Sequence, residues 1–128
     1  MRLLLDTHIW IWLADNPTRL GRAAYEALKH SANELWLSPI STWEALTLNH
    51  KGRIKFDSDV DTWIARTTAT LKQAPLTHEI MITARHLALH QDPADRILAA
   101  TALVLDLTLV TSDERLLNLG NIKTLSNR

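Results

Sequence analysis

The sequence predicts an α/β protein: a central parallel sheet covered by helices on both faces. Three observations predict it. The candidate strands Leu3–Leu5, Glu34–Leu37 and Thr108–Thr111 read as short apolar runs rather than alternating ones, as expected of strands buried on two faces. Helical patterns separate them, so consecutive strands are joined by crossovers and run parallel. Two helix starts, Ser38-Pro39 and Asp92-Pro93, are each marked by a capping side chain followed by proline.

Each element follows from local chemistry. Leu3-Leu4-Leu5 after Arg2 forms the first strand, ended by Asp6-Thr7, and His8 to Ala14 is apolar enough for a short buried helix. Asn16-Pro17-Thr18 interrupts the chain. Leu20, Ala23, Ala24, Ala27 and Leu28 then recur at the spacing of one helix face. Glu34 to Leu37 is the second strand. The helix opened by Ser38-Pro39 carries Ile40, Trp43, Glu44, Leu46 and Thr47 and stops near Lys51-Gly52. Asp57 to Asp61 is an acidic cap region before a helix reaching about Lys72. Pro75-Leu76 is a brief extended piece, and Thr77 caps a helix to about His90. Asp92-Pro93 opens an alanine-rich helix, Ala94 to Leu105. Thr108 to Thr111 is a third buried strand, Ser112 caps a turn of helix over Asp113–Leu117, and Ile122 to Leu125 is an edge strand.

Length and composition bound the function. At 128 residues the chain fits one domain, residues 1–128, burying roughly two-thirds of its unfolded surface. An apolar share of 46% and a charged share of 22% exclude a disordered chain. The absence of cysteine excludes disulfides, thiolate zinc sites and iron–sulfur clusters. Fourteen basic residues balance fourteen acidic ones, so no overall field draws the chain to nucleic acid or an anionic membrane. Asp6 ends the first apolar run too soon for a signal peptide, and no stretch approaches a membrane span of about 18 apolar residues. The expectation is a soluble, cytoplasmic domain.

The informative feature is where the carboxylates fall. Asp6 ends the first strand, Asp113 follows the Thr108–Thr111 strand, Asp95 lies in the first turn of the helix after Asp92-Pro93, and Glu44 lies one to two turns into its helix. Sites in open parallel sheets form outside the carboxyl ends of the strands, so these four acids would converge on one crevice. Each also has a purely structural explanation. Asp6, Asp92, Asp95 and Asp113 suit helix caps or first turns, and Ser41-Thr42-Trp43-Glu44 matches a capping box. Gathered together, however, carboxylates repel and burial raises their pKa values. A divalent cation relieves that cost. Oxygen-only ligands suit Mg²⁺ or Mn²⁺, which polarise a phosphoryl oxygen and acidify a bound water for in-line attack.

These segments resemble the PIN-domain nucleases, and within them the VapC-type toxins of toxin–antitoxin pairs. The likeness rests on Leu4-Leu5-Asp6-Thr7 before an apolar helix, on Glu44, on the stretch from Asp92 through Ala102, and on Leu109-Val110-Thr111-Ser112-Asp113. It runs from about residue 2 to residue 125. The resemblance implies a small α/β/α sandwich and an endoribonuclease dependent on Mg²⁺ or Mn²⁺. It implies that Asp6, Glu44, Asp95 and Asp113 are the catalytic and metal-binding acids, with Asp92 a cap. It also implies orienting hydroxyls at Thr7 and Thr111, an RNA substrate, an antitoxin partner and a homodimer. Two rivals remain on the same fold: a nuclease of RNA maturation and a non-catalytic protein-binding module.

Other residues divide between structural and functional roles. Arg96 beside Asp95 either orients that carboxylate, touches phosphate or forms a surface ion pair, and Ser112 stands in the same supporting group. Lys51, Arg53 and Lys55 form a small basic cluster suited to phosphate contact or to a solvated loop. His86 and His90 have helical metal-site spacing without an evident third ligand, and His8 is placed for packing, a surface role or substrate contact. Five tryptophans against one phenylalanine and one tyrosine point to core packing, a partner surface or base stacking.

Overall fold

The computed structural model describes residues 1–87 and 92–128. Its centre is a five-stranded parallel sheet of β1 (Arg2–Leu5), β2 (Glu34–Leu37), β3 (Lys72–Gln73), β4 (Thr108–Thr111) and β5 (Thr124–Ser126), in the order β3-β2-β1-β4-β5. Around it pack α1 (Thr7–Asp15), α2 (Arg22–Lys29), α3 (Pro39–His50), α4 (Val60–Thr68), α5 (His78–His86), α6 (Pro93–Leu105) and α7 (Glu114–Leu117), with a 3₁₀ turn at Pro17–Arg19. The expected α/β/α architecture is therefore present.

The alternation of strand side chains builds two cores from one tri-leucine. Leu3 and Leu5 point to one face, where Ile9 and Trp10 of α1, Ala24 and Leu28 of α2, and Trp63 of α4 pack. Leu4 points to the other, against Ile80 and Ala84 of α5 and Leu98, Ala99 and Ala102 of α6. All three leucines are fully buried, which is why this strand shows no polar alternation. The chain lays β2 and β3 on one side of β1, then crosses to place β4 and β5 on the other. The strand order thus reverses between β1 and β4, where Asp6 N donates to Val110 O at 3.0 Å.

The helix starts follow the predicted chemistry. Ser38 accepts from Ile40 N, with Pro39 at the first helical position, which makes Glu44 interior and removes the capping-box alternative. Asp92 accepts from Ala94 N ahead of Pro93, and Thr77 accepts from Ile80 N. One cap differs: Asp113, rather than Ser112, accepts from Arg115 N at the start of α7.

Some boundaries also differ. Helix α4 ends at Thr68 rather than near Lys72, and the following strand is Lys72–Gln73 rather than Pro75-Leu76. Its register is set by pairing with Trp36 and Leu37 and by a 3.0 Å ion pair from Lys72 to Glu34. Helix α5 ends at His86, so the His90 end of its expected span, and with it the His86–His90 pair, lies outside the described residues. The last strand is shifted to Thr124–Ser126. Beyond it, Asn127 Oδ1 accepts from Gly21 N at 2.6 Å and its amide donates to Arg19 O at 3.2 Å. A Cβ at position 21 would sit 1.9 Å from Arg128 O, so this close approach requires glycine.

Candidate active site

The four acids singled out from the sequence meet in one cleft beside the point where strand order reverses. Asp6 leaves β1 and caps α1, Asp113 leaves β4 and caps α7, Asp95 sits in the first turn of α6, and Glu44 projects from the middle of α3. Together with Asp92, His8, Trp12, Ser112 and Arg115 they line a cavity of about 420 Å³. A larger groove of about 730 Å³ lies elsewhere, lined in part by Trp10, Asp15, Lys55, Asp57 and Arg66. Its charges are of both signs, with Arg66 paired to Asp57 at 3.3 Å, so it does not concentrate like charge as the acidic cleft does.

Buried hydroxyls hold the acids in place. Thr111 donates to Asp6 Oδ2 at 2.6 Å and accepts from Asp113 N at 3.0 Å, so one side chain links the acids that follow neighbouring strands. Asp6 Oδ1 accepts from Thr7 N at 2.8 Å. The Thr7 hydroxyl donates to Glu44 Oε1 and lies 3.0 Å from Ser41 Oγ. Thr7, Ser41 and Thr111 are all buried, which makes these bonds expensive to leave unmade. Ser41 was not anticipated. The sequence showed it only as the start of the capping-box match, one turn before Glu44 on the same helix.

The electrostatics are those of carboxylates gathered and partly buried together. Burial pushes the Asp6 carboxyl above the usual carboxylate range, against the opposing Thr111 hydrogen bond. Burial likewise raises Glu44, with repulsion from Asp6 and Asp92 added. Asp95 is pushed up to about 7, first by burial and then by repulsion from Asp92, Asp6, Asp113 and Glu44. The donor set is all oxygen and the charges are mutually repulsive, which fits a hard divalent cation. Among the described residues the side chains do not form a ready-made ligand group of three or more. The fit is therefore one of donor chemistry and placement.

Thr111→Val tests the strut. Valine keeps the volume and removes the donor to Asp6. We expect cleavage and Mn²⁺ affinity to fall by about 10- to 100-fold, read by RNA cleavage and by metal titration. Unchanged values in both would show that Thr111 only packs.

The remaining sequence candidates separate clearly. Ser112 lines the cleft. Arg96 does not line the cleft and is turned to the backbone of α5: its guanidinium donates to Ala84 O at 3.1 Å and Arg85 O at 2.8 Å. Five donors on a planar fork suit the free carbonyls of a helix end, so this arginine fastens the C-terminus of α5 to α6. Lys51, Arg53 and Lys55 are exposed beyond the far end of α3, about 10 Å of helix rise from Glu44, and none lines the cleft. Trp10 and Trp63 are core residues, whereas Trp43 next to Glu44 is 65% exposed. Arg115 was missed. It lines the cleft and pairs with Asp113 at 3.3 Å.

Comparison with known proteins gives the family and the fold. The PIN domain profile matches residues 3–122. Ribonuclease VapC22 of Mycobacterium tuberculosis is 35% identical over 116 residues, covering 89% of this chain and 88% of that protein. The fold is shared with VapBC2 from Rickettsia felis bound to a DNA fragment from its promoter, at a TM-score of 0.73 and 16% identity over 98% of each chain. It is shared also with VapBC-1 from nontypeable Haemophilus influenzae, at 0.71 and 16% over 98% of each chain. The profile match and the curated relative, each spanning most of the chain, place this protein in the PIN-domain family, among the relatives of the VapC ribonucleases.

Proposed function

We propose that this protein is a metal-dependent endoribonuclease that hydrolyses RNA phosphodiester bonds and acts as the toxin of a toxin–antitoxin pair. The observation that carries the reading is the convergence of Asp6, Glu44, Asp95 and Asp113 in one cleft. The relative named a ribonuclease supports the substrate class, and the likeness to toxin–antitoxin complexes supports an antitoxin partner. A homodimer and a cytoplasmic location belong to the same reading. Among the described residues no helix is long and apolar enough to cross a membrane.

Asp6, Asp95 and Asp113 are assigned to hold Mg²⁺ or Mn²⁺, with Glu44 a further ligand or the group that orients the attacking water. When bound, the ion supplies Lewis acidity to the phosphoryl oxygen and a lowered pKa to water. The chain's own contribution is positioning. Thr111 and the Thr7 amide fix both oxygens of Asp6, and the Thr7 hydroxyl fixes Glu44, so the carboxylates lose little freedom when the site is loaded. No group of the chain is placed as a covalent nucleophile in this reading; water attacks the phosphorus and the ribose oxygen leaves.

The test is cleavage of total cellular RNA by purified, partner-free protein in Mg²⁺, Mn²⁺ or EDTA, beside Asp6→Asn. Discrete fragments that require metal and vanish in the variant are expected. No cleavage by folded protein in either metal, or EDTA-resistant cleavage retained by the variant, would overturn the assignment.

A further inference from the structure

If the acids of the cleft serve a cation, a substrate must be met by the residues that remain. Those are His8, Trp12, Ser112 and Arg115. Two of them are chemically suited to opposite parts of a nucleotide.

Arg115 stands on α7 with Nη2 at 3.3 Å from Asp113 Oδ2 and Nε at 3.3 Å from Oδ1. Its side chain is 62% exposed. An ion pair of that exposure contributes about 0–1 kcal/mol, so exchanging Asp113 for another anion costs little. The guanidinium fork fits two phosphate oxygens as well as it fits a carboxylate. A dication taken up by Asp113 would displace the arginine's claim on it. The cation freed is one that a polyanionic substrate needs in a cleft otherwise lined by acids.

His8 and Trp12 lie four residues apart on α1, with ring centroids 5.7 Å apart at 49°. Trp12 is half-buried, anchored against the core while lining the cleft. Arg19 places its guanidinium 4.6 Å from the Trp12 ring centroid, adding positive charge to this aromatic ledge. Such a surface stacks a base only when that base is unpaired, because duplex RNA keeps its faces occupied.

We propose that Arg115 and the His8–Trp12 pair form the nucleotide subsite of the cleft, Arg115 binding a backbone phosphate of single-stranded RNA and Trp12 stacking an unpaired base. The inference rests on the ribonuclease reading and deepens it by naming the residues that meet the nucleotide. Specificity then comes from a few residues beside the acids rather than from the basic segment at Lys51, Arg53 and Lys55.

The test is binding, not turnover. A labelled, mixed-sequence single-stranded RNA and its duplex are titrated by fluorescence anisotropy in Mg²⁺, using Asp95→Asn as a slow-cleaving parent. In that background Arg115→Ala is expected to weaken single-strand binding about tenfold and to reduce the slope of log K against log salt by about 0.7, as for one lost phosphate contact. Arg115→Lys should restore the slope and only part of the affinity. Trp12→Leu should weaken binding by about 5- to 100-fold with the slope unchanged, and Trp12→Phe should retain most of it. Because Trp12 also packs, melting curves accompany these variants, and His8→Ala at its exposed position is the second probe of the ledge. Parental affinity in Arg115→Ala and Trp12→Leu, equal affinity for duplex, or no RNA binding by the Asp95→Asn parent would each overturn the subsite. RNA cleavage by the unaltered protein decides the nuclease reading separately.

Discussion

Asp95→Asn is expected to fold, to melt above the parent in EDTA near pH 8, and to cleave RNA about 100-fold more slowly or worse. The side chain is 8% exposed and its carboxyl is pushed up to about 7, against a usual value of 3.8. The native chain therefore holds a proton at Asp95 that the unfolded chain gives up at lower pH. Stability from this group is fully present below about pH 4 and is lost as pH rises through about 7. Asparagine cannot ionise, so the variant escapes that loss and its metal-free melting temperature should fall less over the same interval. In the proposed mechanism the same substitution removes a negative ligand, which is why catalysis should suffer as stability improves. Mn²⁺ should raise the parent's melting temperature more near pH 8 than near pH 5, because at low pH protons compete for the same oxygens. Parallel pH–stability curves for parent and variant would sink the electrostatic account, and full cleavage by the variant would sink the role.

Trp63→Ala is expected to cost about 3–5 kcal/mol, a large part of the 5–15 kcal/mol typical of a domain this size. Trp63 is fully buried in α4, stacked on Phe56 at 3.9 Å and tilted against Trp10 at 4.9 Å. Its indole N–H donates to both oxygens of Asp15, at 3.1 and 3.0 Å. Alanine leaves a cavity that this face of the sheet cannot refill, since the neighbouring rings are held by their own packing. Thermal unfolding should shift down by on the order of 10–20 °C. Trp63→Phe should lose much less, because a ring remains against Phe56 and the exposed Asp15 carboxylate can turn to water. Since α4 contributes no side chain to the acidic cleft, metal-dependent cleavage well below the melting point should survive both changes. A loss of only a few degrees in Trp63→Ala would show that the site collapses onto the cavity.

Much of this was visible in the chain itself, for identifiable reasons. The fully buried strands β1 and β4 announce themselves because both faces demand apolar residues, and the starts of α3 and α6 do so because a cap and a proline act within a few residues. The acids were legible as a set because each sits beside such a signal. The short strand β3 was not legible. Both its residues are exposed, so it carries no apolar pattern, and only the ladder with Trp36 and Leu37 makes it a strand. Pro75-Leu76 imitates one because proline favours extended backbone whether or not a partner exists.

Side-chain roles show the same division. Asp95 and Arg96 are neighbours in sequence yet point to different tasks, one into the cleft and the other across to the end of α5. Successive helix positions diverge by about 100°, and nothing local says which will face the sheet edge. Thr7 to Glu44, Thr111 to Asp6, and the gathering of His8, Trp12 and Arg115 join residues 37, 105 and more than 100 positions apart. By itself the sequence determined the fold class and the principal strands and helix starts, because those depend on periodicity and local capping; it singled out the four acids by their places beside these signals and by the resemblance to the PIN-domain nucleases. The tertiary structure decided which hydroxyls hold the acids, how far burial and mutual repulsion raise their pKa values, and what else the cleft presents to a substrate. Those are properties of distance through space, which the reversal of strand order between β1 and β4 creates and local chemistry does not encode.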